Sequence, residues 1–313
     1  MSWRRCGWAS PTVSSRTTWT STSPIGTPRL DSSQPAPSGA PNRRWQTVSF
    51  LSDYGLHDEF VGVVKSVIRT VAPQVTVLDI THGIPAHDVR AGSLALVRSI
   101  QYLVPGVVLA VVDPGVGTDR RAVAVEAGRA DDDPIFFVGP DNGLMAAAVA
   151  MAGGAKRAVE LSDDSYHLPS PGLTFAGRDV FGPVAAHLCN GIDVAELGSA
   201  VDPVTLRPGI LPLSRREDDS LLAEVLWVDC FGNVQLNVGP DEITAEGDRL
   251  ALRWGHDQVR TARRAAAYGD LKPGEVGLVV DSYGLVSLAL DRRSAAEELR
   301  LGPGDAVTLG PPE

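Results

Sequence analysis

Six apolar residues in a row, Val107 to Val112, run straight into Asp113-Pro114-Gly115-Val116-Gly117, and this stretch constrains the chain more than any other. A continuous, mostly β-branched run without alternation suits a strand buried on both faces, as in parallel sheets covered by helices. Asp113 and Pro114 end it, because proline has no N–H for the ladder. Gly115 and Gly117 permit a tight turn or a close approach of the backbone to a ligand. Arg120 and Arg121 follow within a few residues. A carboxylate at the carboxyl end of a central strand, beside a glycine-rich turn and a guanidinium, stands where open α/β sheets bind their ligands. The alternative is a strand-ending turn in which Asp113 bonds only its own backbone.

The surrounding pattern supports an α/β arrangement. Strands are predicted at 47–52, 75–80, 107–112, 122–126, 135–138 and 158–161, alternating with helices over 57–72, after Asp88, over 143–152, and in an alanine-rich segment ending near Cys189. That alternation predicts a mostly parallel sheet flanked by helices, an N-terminal α/β domain over 46–205. Beyond a Pro-rich and polar linker at 200–216 the helical period disappears. Short apolar runs at 221–228, 234–238, 249–254, 276–280, 285–290 and 305–309 predict a smaller all-β, barrel-like C-terminal domain over 212–313. Residues 1–45 are dominated by Ser, Thr and Pro and cannot bury enough apolar surface to offset ordering, so they are read as a disordered tail.

Charge and cysteines narrow the function classes. The net charge is −10, and the first 45 residues hold six Arg against one acidic residue, so the body carries −10 − 5 = −15. Such a body is not a nucleic-acid binder by charge. Cys6, Cys189 and Cys230 form no paired set and no CxxC, which points to a reducing compartment, the cytoplasm, without a structural zinc site. The longest apolar run is far shorter than the roughly 20 residues of a membrane-spanning helix, so no membrane partner is expected.

Several strands end alike, with an acid or amide just past the apolar run: Asp53, Asp113, Asp141 with Asn142, and Asp229. If those strands are parallel, their carboxyl ends share one edge and the groups converge on a crevice, with Asp79 and His82 nearby. A carboxylate-rich crevice suits either a divalent metal or a cationic, hydroxyl-rich ligand such as a ribose, whose vicinal hydroxyls one carboxylate can bind. No phosphate-cradling motif and no nucleophile elbow is present. His82, His87 and His187 stand as single histidines, read first as structural or surface residues.

Six ordered blocks, LSDYGLHDEFVGVVK, LDITHGIPAHD, VVDPGVGTDRRA, VGPDNGL, TFAGRDVFGPVAAHL and VDCFGNVQLN, resemble the S-adenosyl-L-methionine (SAM) hydroxide adenosyltransferases, relatives of the fluorinating and chlorinating SAM enzymes. The resemblance covers about residues 46 to 310. It implies an N-terminal α/β domain, a C-terminal β-barrel, a homotrimer with sites between subunits, and attack of water or hydroxide on the ribose 5′ carbon of SAM. SAM is then the substrate, and no cofactor and no metal are implied. By resemblance Asp113 and Arg120 hold the attacking water, and Asp53 takes the ribose hydroxyls. His87, Val116, Thr174, Phe175 and Ala176 belong to the substrate pocket, while Asp229, Phe231, Asn233 and Ser282 serve it from the barrel. One position departs from the family: TFAGRD puts Ala176 where the hydrolases carry a histidine. That leaves three outcomes open: Arg120 and the backbone suffice, another group such as His82 substitutes, or the chain is a catalytically weak SAM- or adenosine-binding protein. Halogenating relatives have a tyrosine in place of Asp113 and hydroxyl side chains where Val116 and Gly177 stand here.

Overall fold

The computed structural model describes residues 45–129, 133–243 and 248–312. The predicted tail lies outside them except for Trp45, which is buried with its ring edge-on to Phe136 at 6.0 Å. The first half alternates as expected: β1 (Thr47–Ser52), α1 (Phe60–Val71), β2 (Thr76–Thr81), α2 (Val89–Ser99), β3 (Val107–Val111), β4 (Ala122–Ala127), β5 (Ile135–Pro140), α3 (Ala146–Met151), β6 (Ala155–Glu160), α4 (Gly182–Cys189) and β7 (Ser199–Val201). Among the described residues these strands make one seven-stranded sheet in the order β2-β1-β3-β5-β4-β6-β7. The β2–β1–β3–β5 half is parallel, whereas β4, β6 and β7 join antiparallel.

Every residue of β3 is buried, as a central strand covered on both faces requires. Alternate residues feed two cores. Phe50, Leu109 and Val111 point toward α1 and α4, while Leu51, Ala110 and Val112 point toward α2 and α3. Asp88 caps α2, its side chain accepting the Ala91 N–H at 2.9 Å.

The second half comprises β8 (Arg215–Glu217), β9 (Ser220–Val228), β10 (Val234–Leu236), β11 (Arg249–Trp254), β12 (Gln258–Ala265), β13 (Val276–Val280), β14 (Val286–Leu290), α5 (Ala295–Leu299) and β15 (Ala306–Gly310). The order β10-β14-β13-β12-β11-β15-β9 returns to β10 through a β9–β10 pairing, so seven strands close into a barrel and β8 hangs on β9. Closure leaves those strands without a free edge. Its interior is filled by Val225, Leu236, Leu252, Val276, Leu288 and Leu309. On the outside, Arg90 of α2 pairs with Glu224 at 2.5 Å, and Arg98 lies over the rings of Trp227 and Tyr283 at 5.0 and 5.5 Å. No helix among the described residues is long and apolar enough to cross a membrane.

Candidate active site

Because β1, β3 and β5 run parallel, Asp53, Asp113 and Asp141 emerge on one edge of the sheet. The pleat then separates them. Asp53 follows Leu51 onto the α2 side, where its Oδ2 accepts the backbone N–H of His87 at 2.9 Å. His87 holds a left-handed backbone conformation, φ 68°, rare for a residue with a side chain. Among the described residues nothing donates to Asp53 Oδ1, which leaves that oxygen for a ligand.

Asp113 follows Val111 onto the other side. Arg120 Nε lies 2.8 and 2.9 Å from its two carboxylate oxygens, and Arg120 Nη2 donates to Oδ2 as well. This is the forked geometry in which a guanidinium holds a carboxylate most rigidly. The pair is sheltered, with the Asp113 side chain 6% and the Arg120 side chain 13% exposed. The Arg120 guanidinium rests over the ring of Phe181 at 5.3 Å.

Phe181 ends a single π-helical turn, Gly177–Phe181, which leads directly into α4. Such turns recur where a helix is re-aimed at a functional site. Ala176 is its first flanking residue. Phe175, just before it, meets Tyr54 at 5.7 Å and Phe60 at 5.0 Å in edge-on contacts. Thr174 is exposed, and Val116 sits half-buried in the turn after Asp113, its N–H donating to the Asp113 carbonyl at 3.3 Å. Asp53, His87, Asp113, Val116, Arg120, Thr174, Phe175 and Ala176 thus gather around one sheet edge.

Two other strand-end groups do not join them. Asp141 accepts from Arg121 Nε at 2.9 Å and Nη2 at 2.6 Å, and from the Arg207 N–H at 2.8 Å. Asn142 donates to the Val112 carbonyl at 2.9 Å. Both groups lock the sheet edge to neighbouring chain. Asp79 pairs with Lys65 at 2.6 Å and with His82 Nε2 at 3.1 Å. His82 is no replacement for an imidazole at position 176: its Nδ1 faces Ser52 Oγ at 2.7 Å, and its carbonyl accepts the Gly55 N–H at 2.8 Å. It braces the 52–55 turn from behind. Burial lowers its pKa, against the opposing pull of Asp79.

Sequence reasoning overlooked Tyr54. Burial raises the pKa of this phenol, the charges of Asp53 and Asp113 raise it further, and the Gly177 backbone and Arg120 oppose the shift. Tyr54 therefore sits among the groups of the site, with a neutral hydroxyl.

The SAM hydroxide adenosyltransferase N-terminal domain model matches residues 48–198, and the C-terminal domain model of the same family matches residues 223–308. The chain belongs to the SAM hydroxide adenosyltransferase family. Within it, the (R)-S-adenosyl-L-methionine hydrolase of Salinispora tropica is 43% identical over 262 residues, 84% of this chain and 97% of the relative. The hydrolase of the same name from Thermus thermophilus is 40% identical over 276 residues, covering 84% and 98%. A fluorinase of Nocardia brasiliensis is more distant, 26% identical over 298 residues, covering 86% and 98%. An uncharacterized conserved protein from Thermotoga maritima superposes with a TM-score of 0.75 at 32% identity, over 84% of this chain and 99% of that one.

Of the barrel residues expected in a SAM hydroxide adenosyltransferase site, Asp229, Phe231 and Asn233 form their own cluster. Asp229 Oδ1 accepts the N–H groups of Phe231 and Asn233 at 2.9 and 2.8 Å, and Asn233 Nδ2 donates to Oδ2 at 2.8 Å. This rigid turn leaves Phe231 75% exposed. Ser282 is exposed in the turn preceding β14, where Asp281 Oδ1 accepts the Tyr283 N–H at 2.8 Å. Among the described residues no hydrogen bond or ion pair links Asp229, Phe231, Asn233 or Ser282 to Asp53, Asp113 or Arg120. Nor do three or more His, Cys, Asp or Glu side chains among the described residues gather as a metal ion would need.

Proposed function

We propose that this chain hydrolyses S-adenosyl-L-methionine to adenosine and L-methionine. The observation that carries the reading is the sheltered Asp113–Arg120 pair, set across the sheet edge from an Asp53 carboxylate with one oxygen free. It stands in a chain 43% identical to a protein named for that reaction. Water oxygen bonds to the ribose 5′ carbon as the carbon–sulfur bond breaks, and the electron pair of that bond stays on sulfur. Methionine leaves as a neutral thioether, so no general acid is needed. The surplus proton of the attacking water passes by way of Asp113 to solvent. Positioning the water and keeping bulk solvent out then supply the acceleration, and carboxylates near a sulfonium favour the cationic substrate over neutral products. SAM is the substrate, and no cofactor enters the reaction.

The site is proposed to be completed by the barrel of a second copy, in a homotrimer. Two features support this: the absence of any described link between the two clusters within one chain, and exposed apolar side chains on both. Leu56 and Leu173 stand 77% and 76% exposed in loops neighbouring the sheet edge, and Phe231 is 75% exposed on the barrel turn. The cysteine usage and the acidic body support a cytoplasmic enzyme without nucleic-acid or membrane partners.

A second reading, a SAM- or adenosine-binding protein with little turnover, is favoured by Ala176. Chromatography of SAM incubated with purified protein separates the two. Release of adenosine and methionine in equal amounts supports the hydrolase, and tight nucleoside binding without release supports the binder.

A further inference from the structure

Position 176 is alanine where the resemblance implies a histidine, and His82, the residue that sequence reasoning offered in its place, is committed to Ser52 and Asp79. The site nevertheless holds another polar group on the Asp113 side. The β1–β3 register pairs Ser52 with Val111, and the Asp53 N–H extends the ladder to the Val111 carbonyl at 3.3 Å. Tyr54 and Asp113, each two residues further on, leave their strands toward the same core, the one that contains Phe181. The Tyr54 ring is wedged between Phe50, Phe60 and Phe175, at 6.4, 5.7 and 5.7 Å. Its hydroxyl is held against the backbone of Gly177, so closely that a Cβ at 177 would overlap it. It therefore fills the space in which a side chain at 177 would stand, the place where the resemblance puts a hydroxyl in the halogenating relatives. Among the described residues no side chain accepts the Tyr54 hydroxyl proton, and burial, with the charges of Asp53 and Asp113 adding to it, raises the pKa of the phenol.

We propose that the Tyr54 hydroxyl, seated on Gly177 beside Asp113 and Arg120, is the third water-positioning group of this site and takes the place of the missing imidazole. This assignment rests on the hydrolase reading. A water that donates one hydrogen to Asp113 and accepts the phenol proton on one lone pair has its other lone pair left for the ribose carbon. Tyr54 remains protonated throughout, as a buried phenol beside two carboxylates should, and acts by orientation alone. The pairing also accounts for glycine at 177, because any larger residue would displace the hydroxyl.

The test is a double-mutant cycle on the full chain, following adenosine release from SAM. Tyr54→Phe keeps the ring contacts and removes only the hydroxyl. It is expected to lower kcat by about 10- to 100-fold, the range for one positioned polar group, with KM within about twofold. Ala176→His is expected to raise kcat more in the Tyr54→Phe chain than in the wild type, because there the imidazole replaces an absent group. Equal turnover of wild type and Tyr54→Phe overturns the assignment, as does an equal gain from Ala176→His in both backgrounds. So does a matching loss of SAM affinity and turnover, which would mark Tyr54 as merely structural. If Tyr54→Phe fails to fold, Gly177→Ala, which displaces the hydroxyl instead of deleting it, must lower kcat with KM held, and unchanged turnover there overturns the assignment. A wild type that releases no adenosine overturns the hydrolase reading and this assignment with it, whereas an active wild type no faster than Tyr54→Phe overturns this assignment alone.

Discussion

Asp113 and Arg120 are joined by a forked contact, with Nε lying within 2.9 Å of both carboxylate oxygens and Nη2 closing on Oδ2. Arg120 follows Asp113 by seven positions, and the glycine-rich turn folds Arg120 back over the strand end. Through Nε and Nη2 the guanidinium fixes the carboxylate, and it also rests over Phe181, so the two side chains present one rigid unit at the strand end. Asp113→Asn preserves shape and removes the charge. Turnover should fall about 10–1000-fold, matching loss of a positioned contact of roughly 1.5–4 kcal/mol, while the Kd for SAM changes little. Single-turnover rates together with equilibrium binding decide it. Undiminished turnover would return Asp113 to the status of a turn residue.

How much of this was legible in the chain depends on how local each signal is. Strand β3 was read to within one residue, and β11 and β13 to their ends, because their apolar runs are bounded by Pro, Gly or charge. Strand β12 was missed: QVRTARRA carries only isolated apolar residues, and only Ala262 in it is buried, so no alternation marks it. The antiparallel direction of β4 leaves no trace in AVAVEA either, since direction is set by the partner strand and not by composition. At the sheet edge, Asp53 and Asp113 were legible as strand-end carboxylates and Arg120 as the guanidinium just past the glycine-rich turn. Asp141 looked equivalent, but its partners Arg121 and Arg207 lie 20 and 66 residues away. Tyr54 was not singled out, because the surroundings of its hydroxyl come from a π-helical turn more than 120 residues downstream.

Gly177→Ala tests the fit between that turn and Tyr54. The new methyl would overlap the phenol hydroxyl and crowd the ring carbons behind it. Overpacking of this kind costs about 1–3 kcal/mol, read as a lower urea midpoint at unchanged m-value. In a Tyr54→Phe background the same substitution should cost less, since the nearest clashing atom is gone. An equal cost in both backgrounds would mean that the loop simply moves aside.

His82 carries a pH signature. Its folded-state pKa lies below the ordinary 6.5 because it is buried, so as pH falls below about 6.5 the unfolded chain binds a proton that the folded chain refuses. Stability contributed by His82 is therefore present above that pH and lost on acidification. His187, also lowered by burial, acts in the same direction. The depressed pKa of Asp79 matters only nearer 3.8 and below. The groups facing the ring are Ser52, Asp79 with its partner Lys65, and Phe50 at 4.6 Å. In His82→Gln the slope of unfolding free energy between pH 7.5 and 5.5 should shrink, by at most about 1.4 kcal/mol per pH unit. Urea titrations at the two pH values measure it, and parallel slopes for wild type and variant would remove His82 from the account.

The barrel turn bears on assembly. Asp229 organises Phe231 and Asn233 into a rigid exposed projection, and nothing described ties it to Asp53 or Asp113 of the same chain. If the proposed trimer places that projection over the sheet edge of the next copy, two inactive chains can complement each other. Asp53→Ala spoils the sheet-edge half of a site, and Asn233→Ala spoils the barrel half by removing the side chain that braces Asp229. In an equal mixture after subunit exchange, a site built from the intact half of each occurs with a chance of about one in four, as expected for a cyclic homo-oligomer whose interfaces pair two different surfaces. Adenosine release should recover to about that fraction of the wild-type rate. Exchange is verified independently by mixing chains of different mass and recording mixed trimers by native mass spectrometry. Mixed trimers that remain inactive would place both halves of each site within one chain, requiring the barrel turn and the sheet edge to meet by a movement of the chain itself.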